Sequence, residues 1–134
     1  MRIVLDTNCL IQSISPRSRY YAVWKSLVDG KNIMCVSNEI IMEYLEILQR
    51  LTDYDTAETI VKTIINSKFV EFITPYYNFE LIKQDPDDNK FVDCAIAANA
   101  HYIVTNDHHY DVLKNLDYPQ VDVICLDDFL KLLQ

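Results

Sequence analysis

Apolar residues fall along this chain in short, dense runs separated by longer stretches of helical spacing. Arg2–Leu5 is apolar after its first residue, the pattern of a short strand buried on both faces. Ile33–Val36, Phe69–Ile73, Tyr102–Val104 and Val121–Leu126 read as further short strands. Between them, Tyr20–Val28 has a 3.6-residue period and stops before Gly30, a suitable C-cap. Ser37 can cap a helix over Asn38–Leu51. Asp55-Thr-Ala-Glu58 has capping-box form and predicts a helix to about Ser67. The stretch KQDPDDNK is a loop broken by Pro86, followed by a helix from Asn89 to about Ala100. Asp127 caps a last helix, Asp128–Leu133. Strands alternating with helices predict an α/β fold around a mainly parallel sheet.

Composition narrows the function classes. The 134 residues suit a single domain spanning 1–134, and half of them are hydrophobic. No apolar run is long enough for a membrane span, and Asp6 and Asn8 interrupt the N-terminus at once, unlike a signal peptide; a soluble cytoplasmic protein is expected. The chain has one glycine, Gly30, which excludes glycine-rich phosphate loops and dinucleotide fingerprints. The formal charge of −8 argues against loose nucleic-acid binding, although a bound cation would reverse the local charge. Cys9, Cys35, Cys94 and Cys125 lack metal-ligand spacing and read as reduced, mostly buried thiols.

Candidate chemistry gathers at the strand ends. In a parallel α/β sheet the functional edge lies beyond the carboxyl ends of the strands. Two strands end there in a polar triplet: Asp6-Thr7-Asn8 and Thr105-Asn106-Asp107. Glu43 borders the apolar stripe of its helix, beside Ile40 and Ile47, and is the acid there best placed to lean over the sheet rim. Asp93 interrupts the otherwise apolar FVDCAIAANA, so its burial demands a partner. Carboxylates converging on one rim repel without a counterion, and Mg²⁺ or Mn²⁺ suits such oxygen ligands. That combination points to metal-assisted phosphodiester hydrolysis, with Thr7, Asn8 and Thr105 orienting carboxylates or water.

Taken together, IVLDTNCLI, SNEIIMEYLEIL, DPDDNKFVDCAIAANAHYIVTND and VDVICLDDFLKLL resemble the PIN-domain family, and within it the VapC-type toxin ribonucleases of toxin–antitoxin modules. The resemblance runs the length of the chain. It implies a three-layer α/β/α domain and Mg²⁺- or Mn²⁺-dependent cleavage of RNA. It assigns the acidic quartet to Asp6, Glu43, Asp93 and Asp107, with Asn8 and Thr105 as accompanying polar groups. It leaves open whether Asp88, in a DPDDNK loop found in one branch, shares the work of Asp93. It further implies an antitoxin partner and a homodimer.

Two other readings compete. A haloacid-dehalogenase-like phosphatase would use Asp6, Ser37, Asp107 and Asp111, but its general acid should stand at position 8, which is Asn. A catalytically silent PIN scaffold for RNA or protein binding would have lost one of the acids, and all four are present. Arg17, Arg19 and Lys25 are candidate phosphate contacts on the loop after the first strand, or solvated charges. Lys90 is a further candidate substrate contact and is expected to pair with Asp87 or Asp88. His108 and His109, adjacent and therefore divergent on a regular element, are expected in a mobile loop that touches RNA rather than as metal ligands.

Overall fold

Burial on both faces, expected of Arg2–Leu5, is what places that strand, β1, at the centre of the molecule: Ile3, Val4 and Leu5 are wholly inaccessible to solvent. A computed structural model describes residues 1–134. It pairs β1 with β2 (Ile33–Val36) on one side and β4 (Tyr102–Val104) on the other. β3 (Val70–Phe72) and β5 (Val123–Ile124) are the edges, the strand order is β3-β2-β1-β4-β5, and every pairing is parallel. The chain moves outward one way from β1 to β3, then crosses back to β4 and β5. Right-handed crossovers in opposite directions put helices on both faces, giving three α/β/α layers. The order reverses between β1 and β4, so the crevice of a doubly wound sheet opens there.

Six α-helices fill the outer layers: α1 (Thr7–Ser13), α2 (Tyr21–Val28), α3 (Asn38–Leu51), α4 (Tyr54–Asn66), α5 (Asn89–Ala98) and α6 (Leu126–Leu132). Ser37 caps α3 by accepting from the Ile40 N–H, as its position predicts. Gly30 follows α2 with φ +79°, where a Cβ would strike the Phe69 ring. α5 packs on β1, β2 and β4, and its last turn ends at Asn99 in the left-handed conformation.

Several boundaries differ from the sequence expectation, and β5 shrinks to Val123–Ile124 from the expected Val121–Leu126. Asp53, not Asp55, caps α4: its carboxylate accepts from the Thr56 N–H at 2.7 Å and Thr56 Oγ1 at 3.0 Å, so the helix starts earlier. α6 begins at Leu126 rather than Asp128, because Asn106 Oδ1 accepts the Leu126 N–H at 2.9 Å from across the sheet edge. The polar triplets after β1 and β4 open helical segments. Asp6 leads directly into α1, and Asp107 into a 3-10 segment, His108–Asn115. No helix is long and apolar enough to cross a membrane, and the four cysteines are free, three of them buried.

Candidate active site

Register carries two acids to one place. Leu5 of β1 pairs with Val104 of β4, so Asp6 and Thr105 are the next residues of adjacent strands at the switch point. Thr105 Oγ1 donates to Asp6 Oδ2 at 2.7 Å and accepts from the Asp107 N–H at 3.1 Å. One buried hydroxyl thereby ties together the ends of both strands. Below them, Tyr44 of α3, fully buried, donates its hydroxyl to the Leu5 carbonyl, which fixes the peptide just before Asp6.

One helical turn of α3 joins Tyr44 to the site: Glu43, the preceding residue, accepts from Thr7 Oγ1. It also accepts from Lys90 Nζ at 2.8 Å, with both side chains mostly shielded. Lys90 therefore pairs with Glu43, not with Asp87 or Asp88, because the first turn of α5 points it across toward α3. Burial pulls the Lys90 ammonium down, but the hydrogen bond and charge of Glu43 outweigh it and hold the ammonium above its usual value.

The fourth acid of the cluster is Asp88. A 3-10 turn, Pro86–Asp88, delivers it to the entry of α5, where it is 9% exposed. Its Oδ2 has no hydrogen-bond partner. Burial first, then the charges of Asp85, Asp6 and Asp107, push its carboxyl up to about 7, against a lowering by Tyr110. Asp6 is also raised, chiefly by burial and further by Glu43 and Asp107; the Thr105 hydroxyl and the Thr7 N–H oppose this. Carboxyl oxygens of Asp85, Asp88 and Asp107 and a ring nitrogen of His109 all lie within 4.8 Å of one another. A buried acceptor without a donor, surrounded by carboxylates, fits a bound divalent cation.

Asp93, expected in the acidic quartet, is placed apart from this group. It lies five residues beyond Asp88, on a different face of α5 at ~100° per residue. That face is shared by Asn89, four residues earlier, and both clasp the extended segment before the helix. Asp93 Oδ1 accepts the Phe79 N–H at 3.1 Å. Asn89 exchanges two bonds of 2.9 Å with the N–H and carbonyl of Ile82. Burial raises the Asp93 carboxyl, the Phe79 N–H lowers it, and Glu39 and Glu80, not the site acids, add to the rise. Its buried charge thus has a local, structural partner.

Other expected residues are scattered. Asn8 is exposed on α1. Arg17 is exposed, and Arg19 pairs with Asp127 at 3.3 Å while its guanidinium lies over Tyr20. Lys25 is exposed on α2. Ser37 is committed to its helix cap and Asp111 to Lys114 at 3.2 Å, so neither serves a phosphatase site. His108 and His109 open the 3-10 segment rather than a loop. His108 is exposed and near Asp111; the His109 backbone N–H donates to Asp107 Oδ1 at 2.8 Å, and its ring is part-exposed with Nδ1 buried against Asp107 and Asp88. Asp85 was not singled out from sequence, and His109 was expected to touch RNA rather than to lie among these carboxylates. The one available signal was the two-residue spacing from Asp107 to His109, which suits a local side-chain-to-backbone turn.

Comparison with known proteins agrees with this geometry. Among solved structures, the chain resembles VapBC2 from Rickettsia felis bound to a promoter DNA fragment: TM-score 0.64, 19% identity, 93% of this chain and 98% of that one. It also resembles VapBC-1 from nontypeable Haemophilus influenzae, with TM-score 0.63, 16% identity and coverage of 95% and 99%. Mycobacterium tuberculosis VapC20, a sarcin-ricin-loop-cleaving toxin, aligns with TM-score 0.55, 16% identity and coverage of 81% and 92%. None of the curated proteins compared matches the sequence significantly. The family model described as PIN domain matches residues 2–109, from the first strand through Asp107 and His109, and the chain belongs to the PIN domain family.

Proposed function

We propose that the chain is a divalent-metal-dependent endoribonuclease of the VapC type, the toxin of a toxin–antitoxin pair, acting as one domain over 1–134 in the cytoplasm. The observation that carries this reading is Asp88 Oδ2, buried and without a donor, beside Asp6 and Asp107 at the switch point of the sheet. Asp6, Asp88 and Asp107 would hold Mg²⁺ or Mn²⁺, with Glu43 at the rim. When bound, the cation neutralises charge on the scissile phosphate and lowers the pKa of an attacking water.

The chain's own residues prepare the site. Thr105 aims Asp6, Thr7 aims Glu43, and the Tyr44 hydroxyl holds the backbone at the base of Asp6. Lys90 offsets one negative charge next to the site and can meet an incoming phosphate. An antitoxin that presents a basic side chain to these acids, and a homodimer of the toxin, complete the reading; the likeness to VapBC complexes supports the antitoxin.

The test is cleavage of structured and single-stranded RNAs by purified protein with Mg²⁺, Mn²⁺ or EDTA. Cleavage should require metal and be lost in Asp6→Asn and Asp88→Asn. Cleavage that persists in EDTA and in both variants refutes it. Light scattering at high concentration tests the dimer, and rescue of toxin-expressing cells by the neighbouring reading frame tests the antitoxin.

A further inference from the structure

His109 Nδ1 is buried, has no hydrogen-bond partner, and faces two carboxylates. It lies 3.4 Å from Asp107 Oδ1 and 3.9 Å from Asp88 Oδ2. Asp107 Oδ1 already accepts the His109 backbone N–H. A proton on Nδ1 would draw a carboxylate in to the length of a charge-assisted bond, about 2.7–2.9 Å, and neither distance is that short. The spacing instead suits donors that share an ion. Two donors each about 2.1 Å from one cation stand about 3.0 Å apart when adjacent and about 4.2 Å apart when opposite. Both distances from Nδ1 lie inside that interval.

The neighbouring groups point the same way. Asp88 is 9% exposed, and its Oδ2 is the other buried side-chain atom without a partner. Two unsatisfied buried atoms, one nitrogen and one oxygen, thus face each other across a gap. Asp85 and Asp107 complete the group. The chain has three histidines, and the other two are engaged elsewhere: His101 Nδ1 accepts the Arg2 N–H at 3.0 Å, and His108 lies beside Asp111 in solvent.

We propose that His109 Nδ1 is a direct ligand of the metal, beside Asp88 and Asp107 with Asp85 in reach, and that this nitrogen donor makes the centre favour Mn²⁺ or Co²⁺ over Mg²⁺. Imidazole suits first-row transition ions, whereas Mg²⁺ keeps oxygen ligands and its own waters. The inference rests on the metal-dependent reading of the site and adds to it a ligand and a metal preference.

The experiment uses the full chain with Mn²⁺, Co²⁺ and Mg²⁺ added singly, and a readout other than cleavage. Pulsed EPR of the Mn²⁺-loaded protein should show coupling to a directly bound ¹⁴N nucleus, replaced by the ¹⁵N pattern when histidine is labelled with ¹⁵N. The coupling should vanish in His109→Gln, which keeps His101 and His108. Calorimetry should show that this variant loses about tenfold in Mn²⁺ and Co²⁺ affinity but less than about threefold for Mg²⁺. No histidine coupling in the wild type, coupling that survives His109→Gln, or equal losses for all three ions overturns the proposal. The labelling experiment decides it even if the variant fails to fold. Asp88→Asn separates the two readings. If it abolishes Mn²⁺ binding while His109→Gln does not, only the nitrogen ligand is lost. If neither variant alters Mn²⁺ binding, the metal site at this rim fails with it.

Discussion

Asp88→Asn should stabilise the metal-free protein while disabling it. The buried Asp88 carboxyl is held at about 7, against about 3.9 for an aspartate in an unfolded chain. At 1.36 kcal/mol per decade, that is ~4 kcal/mol set against ionisation in the folded state. Water enters the site and screens the charges, so ~1–2 kcal/mol is the part expected in a stability measurement. The sign follows from linkage: the folded state binds the proton more tightly, so stability is complete below the unfolded value and is lost as pH rises from ~4 to ~7. Asn has nearly the same shape and carries no charge, so the variant lacks this loss. For a domain of this size, the melting temperature of Asp88→Asn at pH 8 in EDTA should exceed wild type by ~3–8 °C. Below about pH 4, where Asp88 is protonated in the folded and unfolded states alike, the two should nearly coincide. Added Mn²⁺ should raise the wild-type melting temperature by binding only the native state, and the variant's much less. RNA cleavage should fall to background. A variant that melts lower than wild type at pH 8, or an advantage that is the same at pH 5, would refute the electrostatic account of this cluster.

The neighbouring residues give contrasting expectations. Asp93→Asn keeps an acceptor for the Phe79 N–H, so RNA cleavage should stay near wild type with a stability change below ~1 kcal/mol. Asp93→Ala leaves that N–H unpaired and should cost ~1–3 kcal/mol in urea unfolding; loss of Mn²⁺ binding in Asp93→Asn would return it to the site. Thr105→Val removes the hydroxyl that joins Asp6 to the Asp107 backbone and should lower Mn²⁺ affinity about 10–100-fold by calorimetry; unchanged affinity counts against its role. Lys90→Met leaves the mostly shielded Glu43 without its cation and should cost about 1–2 kcal/mol by thermal or urea melts at low salt; no loss would mean that the pair contributes nothing to folding.

The linear order of residues already determined much of this protein. Short apolar runs alternating with helical spacing point to strands of a parallel sheet, and the sheet puts Asp6 and Thr105–Asp107 at its carboxyl edge. Periodicity alone set α3 and brought Glu43 to its rim, because neighbouring residues on one helix cannot change their relative angles. What sequence left undecided was every partnership made through space. Asp88 and Asp93 sit five residues apart in one motif. Which of them faces the acids depends on where α5 begins and on the segment that Asn89 and Asp93 clasp. Lys90 found Glu43 rather than its acidic neighbours because the opening turn of α5 faces α3. His109, read as a loop residue, opens a 3-10 segment whose first turn sets its Nδ1 against Asp107 and Asp88. Strand and helix identity follow from local periodicity and burial. The direction in which a buried charge points is decided only by the packing around it, because its cost is relieved by whichever donor, charge or ion the fold brings within reach.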